Sequence, residues 1–116
     1  MAQHPENKRK HRHRPIAGAE DLRALALAYV ARYATTTHKL TAYLRRKVRD
    51  AEASDLQDAI PDIVSRIAAA GFVDDALYAR QKTDALARRG YGPARVRASL
   101  SDAGIAAETI EANTEE

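Results

Sequence analysis

The helical pattern that decides the fold is clearest over residues 60–75, which read IPDIVSRIAAAGFVDD. The apolar residues of its first half recur at the spacing of one helical face and are Ile60, Ile63, Val64 and Ile67. Pro61 fits the first position of this helix, where a backbone N–H is not needed. We therefore predict a separate turn over residues 54–59, followed by a helix from about residue 61.

The same stretch marks where this helix stops and the next one starts. Gly71 is predicted to end the helix, and the apolar Phe72 behind it is typical of a Schellman stop. Asp74 is a suitable N-cap for a following helix. Asp75 then lies in the first turn, where the helix dipole favours a carboxylate.

Three helices are predicted downstream of this stop. The glycines that delimit them are Gly90, Gly92 and Gly104. The fourth helix of the chain ends at Arg89, the fifth starts with Pro93, and a short sixth extends from Ile105 to about Ala112. The fourth has a thin apolar face, which consists of Ala76, Ala79, Thr83 and Leu86.

Two amphipathic helices are predicted upstream. The apolar face of the first consists of Leu22, Leu25, Ala26, Tyr29, Val30 and Tyr33. A run of three threonines follows, and Thr36 or Thr37 can cap the second helix. The apolar face of the second consists of Leu40, Tyr43, Leu44 and Val48. The opposite face, at about 100° per residue, carries Arg45, Arg46 and Arg49, with Lys39 at its margin.

The second and fifth helices share a register, which indicates a weak internal repeat. Aligning Leu40 with Val96 also pairs Lys39 with Arg95. We therefore predict an all-α, elongated protein built from tandem three-helix repeats. The predicted boundaries are a disordered basic arm at 1–17, a first repeat at 18–71, a partly shortened second repeat at 72–113 and an acidic tail at 114–116.

Composition excludes several classes of protein. The 116 residues are 45% hydrophobic and 30% charged and include no Cys, which excludes disulfides and thiolate metal sites. No apolar run approaches the roughly 20 residues of a membrane span, and no apolar segment follows the basic N-terminus to form a secretory signal. We expect a monomeric, cytoplasmic protein without a metal or a cofactor.

Positive charge is concentrated in two segments. Residues 1–49 carry twelve basic residues against three acidic ones, and residues 76–97 carry six against one. Such segments can bind a polyanion, although solvated helix faces produce the same pattern. The basic residues predicted to contact nucleic acid or a protein partner are Lys39, Arg45, Arg46, Arg49, Arg88, Arg89, Arg95 and Arg97.

Two alternatives stay open for these basic residues. They could pair with acids of a neighbouring helix, the candidates being Asp50, Glu52, Asp55 and Asp58. Tyr91 lies between two glycines beside the second basic group, where an exposed ring could stack on a base. Packing of this ring under the turn is the interpretation we favour.

The sequence offers no candidate for catalysis. Asp74 and Asp75 are adjacent, so their side chains diverge by about 100° on a helix, and capping explains them better. The Gly-Tyr-Gly segment at 90–92 follows a helix rather than a strand, unlike a dinucleotide fingerprint. The residues predicted to have structural roles are Gly71, Asp74, Asp75, Gly90, Gly92 and Gly104.

A specific residue pattern extends from Gly71 onward. Its members are Gly71-Phe72-Val73-Asp74-Asp75, Tyr78-Ala79-Arg80, Arg88-Arg89-Gly90-Tyr91-Gly92, Arg95-Val96, Leu100 and Ala103-Gly104-Ile105. This pattern resembles the RecX family of recombinase regulators. Upstream, the residues similar to the first repeat of that family are Ala28, Tyr29, Thr36, Leu40, Leu44 and Lys47.

The resemblance implies tandem three-helix repeats and a non-catalytic activity on RecA. Members of that family bind the RecA–single-stranded DNA filament along its groove and curb ATP hydrolysis, strand exchange and coprotease activity, and some contact DNA directly. It implies a negative modulator of RecA in recombination and the SOS response. The family usually has three repeats, whereas we identify one complete repeat and most of a second, so we expect less of the groove to be covered.

A small helical DNA-binding transcriptional regulator is the alternative. A Thr-rich turn followed by the basic helix at 39–49 also suits a helix-turn-helix. However, Thr37, His38 and Thr41 near the start of that helix are poor base-reading residues compared with Arg or Asn. A scaffold without a nucleic-acid role is a third option.

Overall fold

The computed structural model describes residues 16–115, and this part of the chain is helical without a strand. Its elements are α1 (Ala19–Arg32), α2 (Thr37–Asp50), a 3-10 helix (Ser54–Ala59), α3 (Ile60–Ala69), α4 (Asp75–Arg88), α5 (Pro93–Asp102) and α6 (Ala107–Thr114). The all-α prediction is confirmed. The disordered arm predicted at residues 1–17 lies outside the described residues, except for Ile16 and Ala17.

The helices form two three-helix units, each with its own apolar core. In the first unit, α1, α2 and α3 pack against one another, and in the second α4, α5 and α6 do so. The described chain measures 60 × 33 × 20 Å. Its radius of gyration of 17.4 Å exceeds the roughly 13 Å expected of a compact domain of about 100 residues. The predicted elongated shape is therefore confirmed.

The register shared by α2 and α5 places equivalent side chains in the two cores. Leu40 is 0% and Val96 is 4% exposed, and their neighbours one turn later, Leu44 and Leu100, are both fully buried. Helix α2 has 14 residues and α5 has 10. The shorter α5, and the direct passage from α5 to α6 without a 3-10 helix, make the second unit smaller.

Three helices end with the same hydrogen-bonded stop. In each, a glycine has a positive φ and the next N–H donates to the carbonyl five residues earlier. The donor and acceptor pairs are Phe72 to Ile67 (3.1 Å), Tyr91 to Leu86 (3.1 Å) and Ile105 to Leu100 (3.0 Å). Because Ile105 completes the stop of α5, α6 begins at Ala107, two residues later than predicted.

Helix α2 ends in the same way but without glycine. The Ala53 N–H donates to the Val48 carbonyl at 3.0 Å, and the residue in the left-handed position is Glu52, with φ of 55°. A residue with a side chain is disfavoured there by about 1–2 kcal/mol relative to glycine. The sequence does not reveal this stop, because its left-handed residue is a glutamate.

We expect Glu52→Gly to stabilise the protein by up to about 1 kcal/mol, because the relief of the left-handed conformation outweighs the larger backbone entropy of unfolded glycine. Urea unfolding followed by circular dichroism measures the change. The matched control is Asp50→Gly, at the last helical residue of α2, which should destabilise the protein. A loss of stability in the Glu52 variant would contradict this account of the stop.

Candidate nucleic-acid and protein interface

The outer face of α2 is a basic surface that forms no ion pair with the rest of residues 16–115. Helix α2 is held by Leu40, Leu44 and Val48 on its buried side, and Arg45, Arg46 and Arg49 are exposed on the other. Within residues 16–115, ion pairing is confined to Arg66 and Asp62, whose Nε and Oδ2 atoms lie 2.9 Å apart. The predicted alternative, in which acids between residues 50 and 58 pair with this face, is therefore wrong for the described residues.

A row of three tyrosines borders this basic face. The rings of Tyr29 and Tyr43 stack at a centroid distance of 4.1 Å, and Tyr33 lies 5.2 Å from Tyr29. The Arg46 guanidinium lies 5.6 Å and the Lys47 ammonium 5.7 Å from the Tyr43 ring centroid. Cations at this distance from a ring face are attracted by its quadrupole. Cations and aromatic rings thus alternate along the margin of α1 and α2.

The sequence pattern assigned these three tyrosines to the core, and the structure corrects this for Tyr33. Helix α1 ends at Arg32, and Tyr33 has extended backbone angles (φ −126°, ψ 137°). Its side chain is therefore turned away from the helical face and is 53% exposed. In contrast, Tyr43 is partly buried, and this burial raises its pKa, an effect that the charge of Arg46 opposes.

A second cluster of cations and an aromatic ring lies on the second unit. The guanidinium carbons of Arg89 and Arg95 lie 5.3 and 4.5 Å from the centroid of the Tyr91 ring. Tyr91 is half-buried against the second core, as expected for a ring that packs under the turn. Arg88 is exposed at the end of α4. Of the basic residues predicted to form a site in the second unit, Arg89 and Arg95 thus lie at the Tyr91 ring.

Arg97 is separated from that cluster. It lies two residues after Arg95, which on a helix is a rotation of about 200°. It lines a cleft of about 380 Å³ between α5 and α6, together with Ile110 and Glu111. We therefore assign Arg97 to a different surface from the Tyr91 cluster.

Lys39 lies where the two units meet, rather than on the outer face of α2. Its Nζ donates a hydrogen bond to the Tyr78 hydroxyl at 3.3 Å and lies 5.5 Å from the centroid of that ring. Tyr78 belongs to α4, so this pair connects the first unit to the second. Sequence reasoning could not identify the contact, because its two residues are 39 positions apart.

The start of α2 is capped from both units. The Thr36 hydroxyl accepts a hydrogen bond from the Lys39 N–H (3.1 Å) and donates one to the Ala103 carbonyl (2.6 Å). The Asp75 carboxylate accepts from the backbone N–H and the hydroxyl of Thr37, both at 2.8 Å. We call these contacts, together with the Lys39–Tyr78 pair, the junction.

The adjacent acids predicted to be caps have different roles. Asp74 caps its own helix, since its Oδ1 accepts from the Leu77 N–H at 3.0 Å. Asp75, in the first turn of α4, instead satisfies the start of α2 in the other unit. The junction therefore contains hydrogen bonds to the charged groups of Asp75 and Lys39 and one neutral bond from Thr36 to Ala103.

Asp75→Ala is expected to lower the free energy of unfolding by about 2 kcal/mol, because it removes two hydrogen bonds to a charged acceptor and leaves the Thr37 N–H unpaired. Asp75→Asn should lose less, since its amide oxygen can still accept one of them. Urea unfolding measures both variants. Asp84→Ala, at an exposed site on the same helix, is the control and should change stability by less than about 0.5 kcal/mol.

The described residues contain no group of three or more acidic or histidine side chains placed to hold a metal ion. Over the same residues, no helix is long and apolar enough to cross a membrane.

Comparison with known proteins identifies similar sequences. Residues 74–112 match the family model described as RecX, second three-helix domain. The chain is 36% identical over 94 residues to the regulatory protein RecX from each of two strains of Thermus thermophilus. The aligned region covers 81% of this chain and 60% of each relative, so the chain spans less than two thirds of their length. No solved structure matches the chain.

Proposed function

Because the chain belongs to the RecX family, we propose that it is a non-catalytic, negative modulator of RecA that binds the RecA–single-stranded DNA filament. The proposal rests first on the similarity of the chain to the regulatory protein RecX of Thermus thermophilus. It also rests on the residue pattern from Gly71 to Ile105, which falls mostly within the matched second three-helix domain. In a cell, such binding would regulate recombination and the SOS response.

The observation that best supports filament binding is the combination of an elongated shape with basic surfaces on both units. The described chain is 60 Å long, so it can contact successive sites along a filament. The α2 face carries Arg45, Arg46 and Arg49, which form no ion pair among the residues that the structure describes. The second unit carries Arg89 and Arg95 around Tyr91. We propose that these surfaces contact DNA phosphates without sequence preference.

The alternative, a transcriptional regulator that inserts α2 into the major groove, has less support. A recognition helix reads bases through its N-terminal residues. In this protein, Thr36 is fully buried, and Thr37 is hydrogen-bonded to Asp75 of the other unit. The N-cap and the first residue of α2 are thus engaged by the junction and are not free to read bases. A regulator would bind one duplex sequence at least about 10³-fold more tightly than random duplex, whereas our proposal predicts nearly equal affinities.

The decisive experiment is a titration of the protein into RecA assembled on single-stranded DNA, with the ATPase rate measured at fixed salt. We expect the rate to fall at protein concentrations well below that of RecA, because one bound molecule affects several filament subunits. The control is the same titration without DNA. An unchanged rate, together with no cosedimentation with the filament, would contradict the proposal.

A further inference from the structure

The large apolar side chains left exposed in the described chain converge on one groove. Tyr33 is 53%, Phe72 is 59% and Leu77 is 40% exposed. All three line a groove between the end of α1, the turn after α3 and the start of α4. Exposed apolar side chains that cluster in one place mark interaction sites, whereas scattered ones need no explanation.

Each of these side chains is exposed because of its position at the end of a helix. Tyr33 is the first residue after α1. Phe72 follows the glycine that ends α3, where its N–H is used by the stop. Leu77 lies in the first turn of α4. The helix ends therefore bring together three side chains that neither core covers.

The groove has the size of one side chain. Its volume is about 160 Å³, and an engineered protein cavity of about 150 Å³ is large enough for benzene. Val30, Val73 and Thr35 also line it. The lining is thus mainly apolar and aromatic.

The charges of the groove favour a protein ligand over a nucleic acid. Among residues 16–115, no Lys or Arg lines it, and its charged lining residue is Asp74. That carboxylate accepts the Leu77 N–H through Oδ1, which leaves Oδ2 for a cation. Two basic groups are held by rings at the edge of the groove: the Arg32 guanidinium lies 5.9 Å from the centroid of Tyr33, and the Lys39 Nζ lies 5.5 Å from the centroid of Tyr78. A phosphate would be repelled by Asp74.

We propose that this groove receives an apolar side chain of the recombinase filament, with a basic residue beside that side chain paired to Asp74. The inference rests on the proposed function and assigns its protein contact to a definite place. The two contacts are then separate: the groove between the units binds protein, and the basic faces of α2 and of the Tyr91 cluster bind DNA. Apolar anchors in small pockets carry much of the affinity of protein interfaces.

The test compares the double variant Phe72→Ser, Leu77→Gln with the unchanged full chain. Binding to RecA filaments on single-stranded DNA is measured by fluorescence anisotropy of the labelled protein, and binding to free single-stranded DNA is measured in parallel. We expect at least about tenfold weaker filament binding, with unchanged affinity and salt dependence on free DNA. Circular dichroism checks that the double variant is folded. The single variant Leu77→Gln is tested as well, because glutamine is readily accommodated in a helix.

Each other outcome is informative. If the unchanged chain binds the filament and the double variant binds it equally well, the groove inference is overturned while the proposed function stands. If the unchanged chain does not bind the filament, the proposed function fails, and this inference fails with it. Weaker binding of the variant to free DNA, or a dimer of the unchanged chain that the substitutions dissociate, would show that nucleic acid or a second copy occupies the groove.

Discussion

Replacing Arg45, Arg46 and Arg49 by alanine is expected to reduce the salt slope of DNA binding by about two to three units. Each cation that neutralises a phosphate releases a condensed counterion and contributes about 0.7–0.9 to the slope of log K against log salt. The three side chains lie on one exposed face of α2 and form no ion pair within the described part of the chain. Their substitution should leave the helix intact, since alanine has the highest helix propensity.

The matched control removes the same charge from three different helices. Arg23, Arg66 and Arg80 are exposed on α1, α3 and α4, and their replacement by alanine lowers the net charge equally. Affinity for random single-stranded DNA is measured for both triple variants from 50 to 200 mM salt. We expect the control to keep most of the wild-type slope. Equal slopes for the two variants would mean that net charge, and not the α2 face, determines DNA binding.

The helices and their core faces could be predicted from the sequence because both are set locally. The spacing of Leu40, Leu44 and Val48 fixes which side of α2 is buried, whatever packs against it. The Gly71 stop depends on a few consecutive residues. Two local features were not predicted. Helix α2 ends with Glu52, rather than a glycine, in the left-handed conformation. Tyr33 follows the last residue of α1 and has an extended backbone, so its side chain does not continue the apolar face of the helix.

The candidate site was predicted less completely because it depends on contacts between distant residues. The outward direction of Arg45 and Arg46 follows from helical periodicity, whereas the stacking of Tyr43 on Tyr29 depends on how α1 and α2 pack. Asp75 fits the general rule that acids stabilise helix starts, but the helix that it caps is 38 residues earlier. No pattern within one segment predicts which helix start will be nearby in the folded chain.

A substitution beside the junction is also expected to cause a large loss of stability. Gly104 has φ of +79°, and a Cβ built on it would overlap the Cβ and Cγ of His38 in the other unit. We expect Gly104→Ala to lower the free energy of unfolding by about 2–4 kcal/mol, because left-handed strain adds to overpacking at the junction. Relief of the overlap requires the units to separate, which would also break the nearby hydrogen bond from Thr36 to the Ala103 carbonyl.

The sequence provides a control that isolates the overlap. Gly90 has φ of +90° but no heavy atom within 4 Å of a Cβ at that position, so Gly90→Ala introduces the strain without the clash. We expect Gly90→Ala to lose about 1 kcal/mol and to keep the radius of gyration of the unchanged chain. Gly104→Ala should increase this radius in small-angle X-ray scattering. If the two variants lose equal stability and keep the same radius, the contact between Gly104 and His38 does not hold the units together, and the hydrogen bonds of Asp75 and Thr36 determine their arrangement.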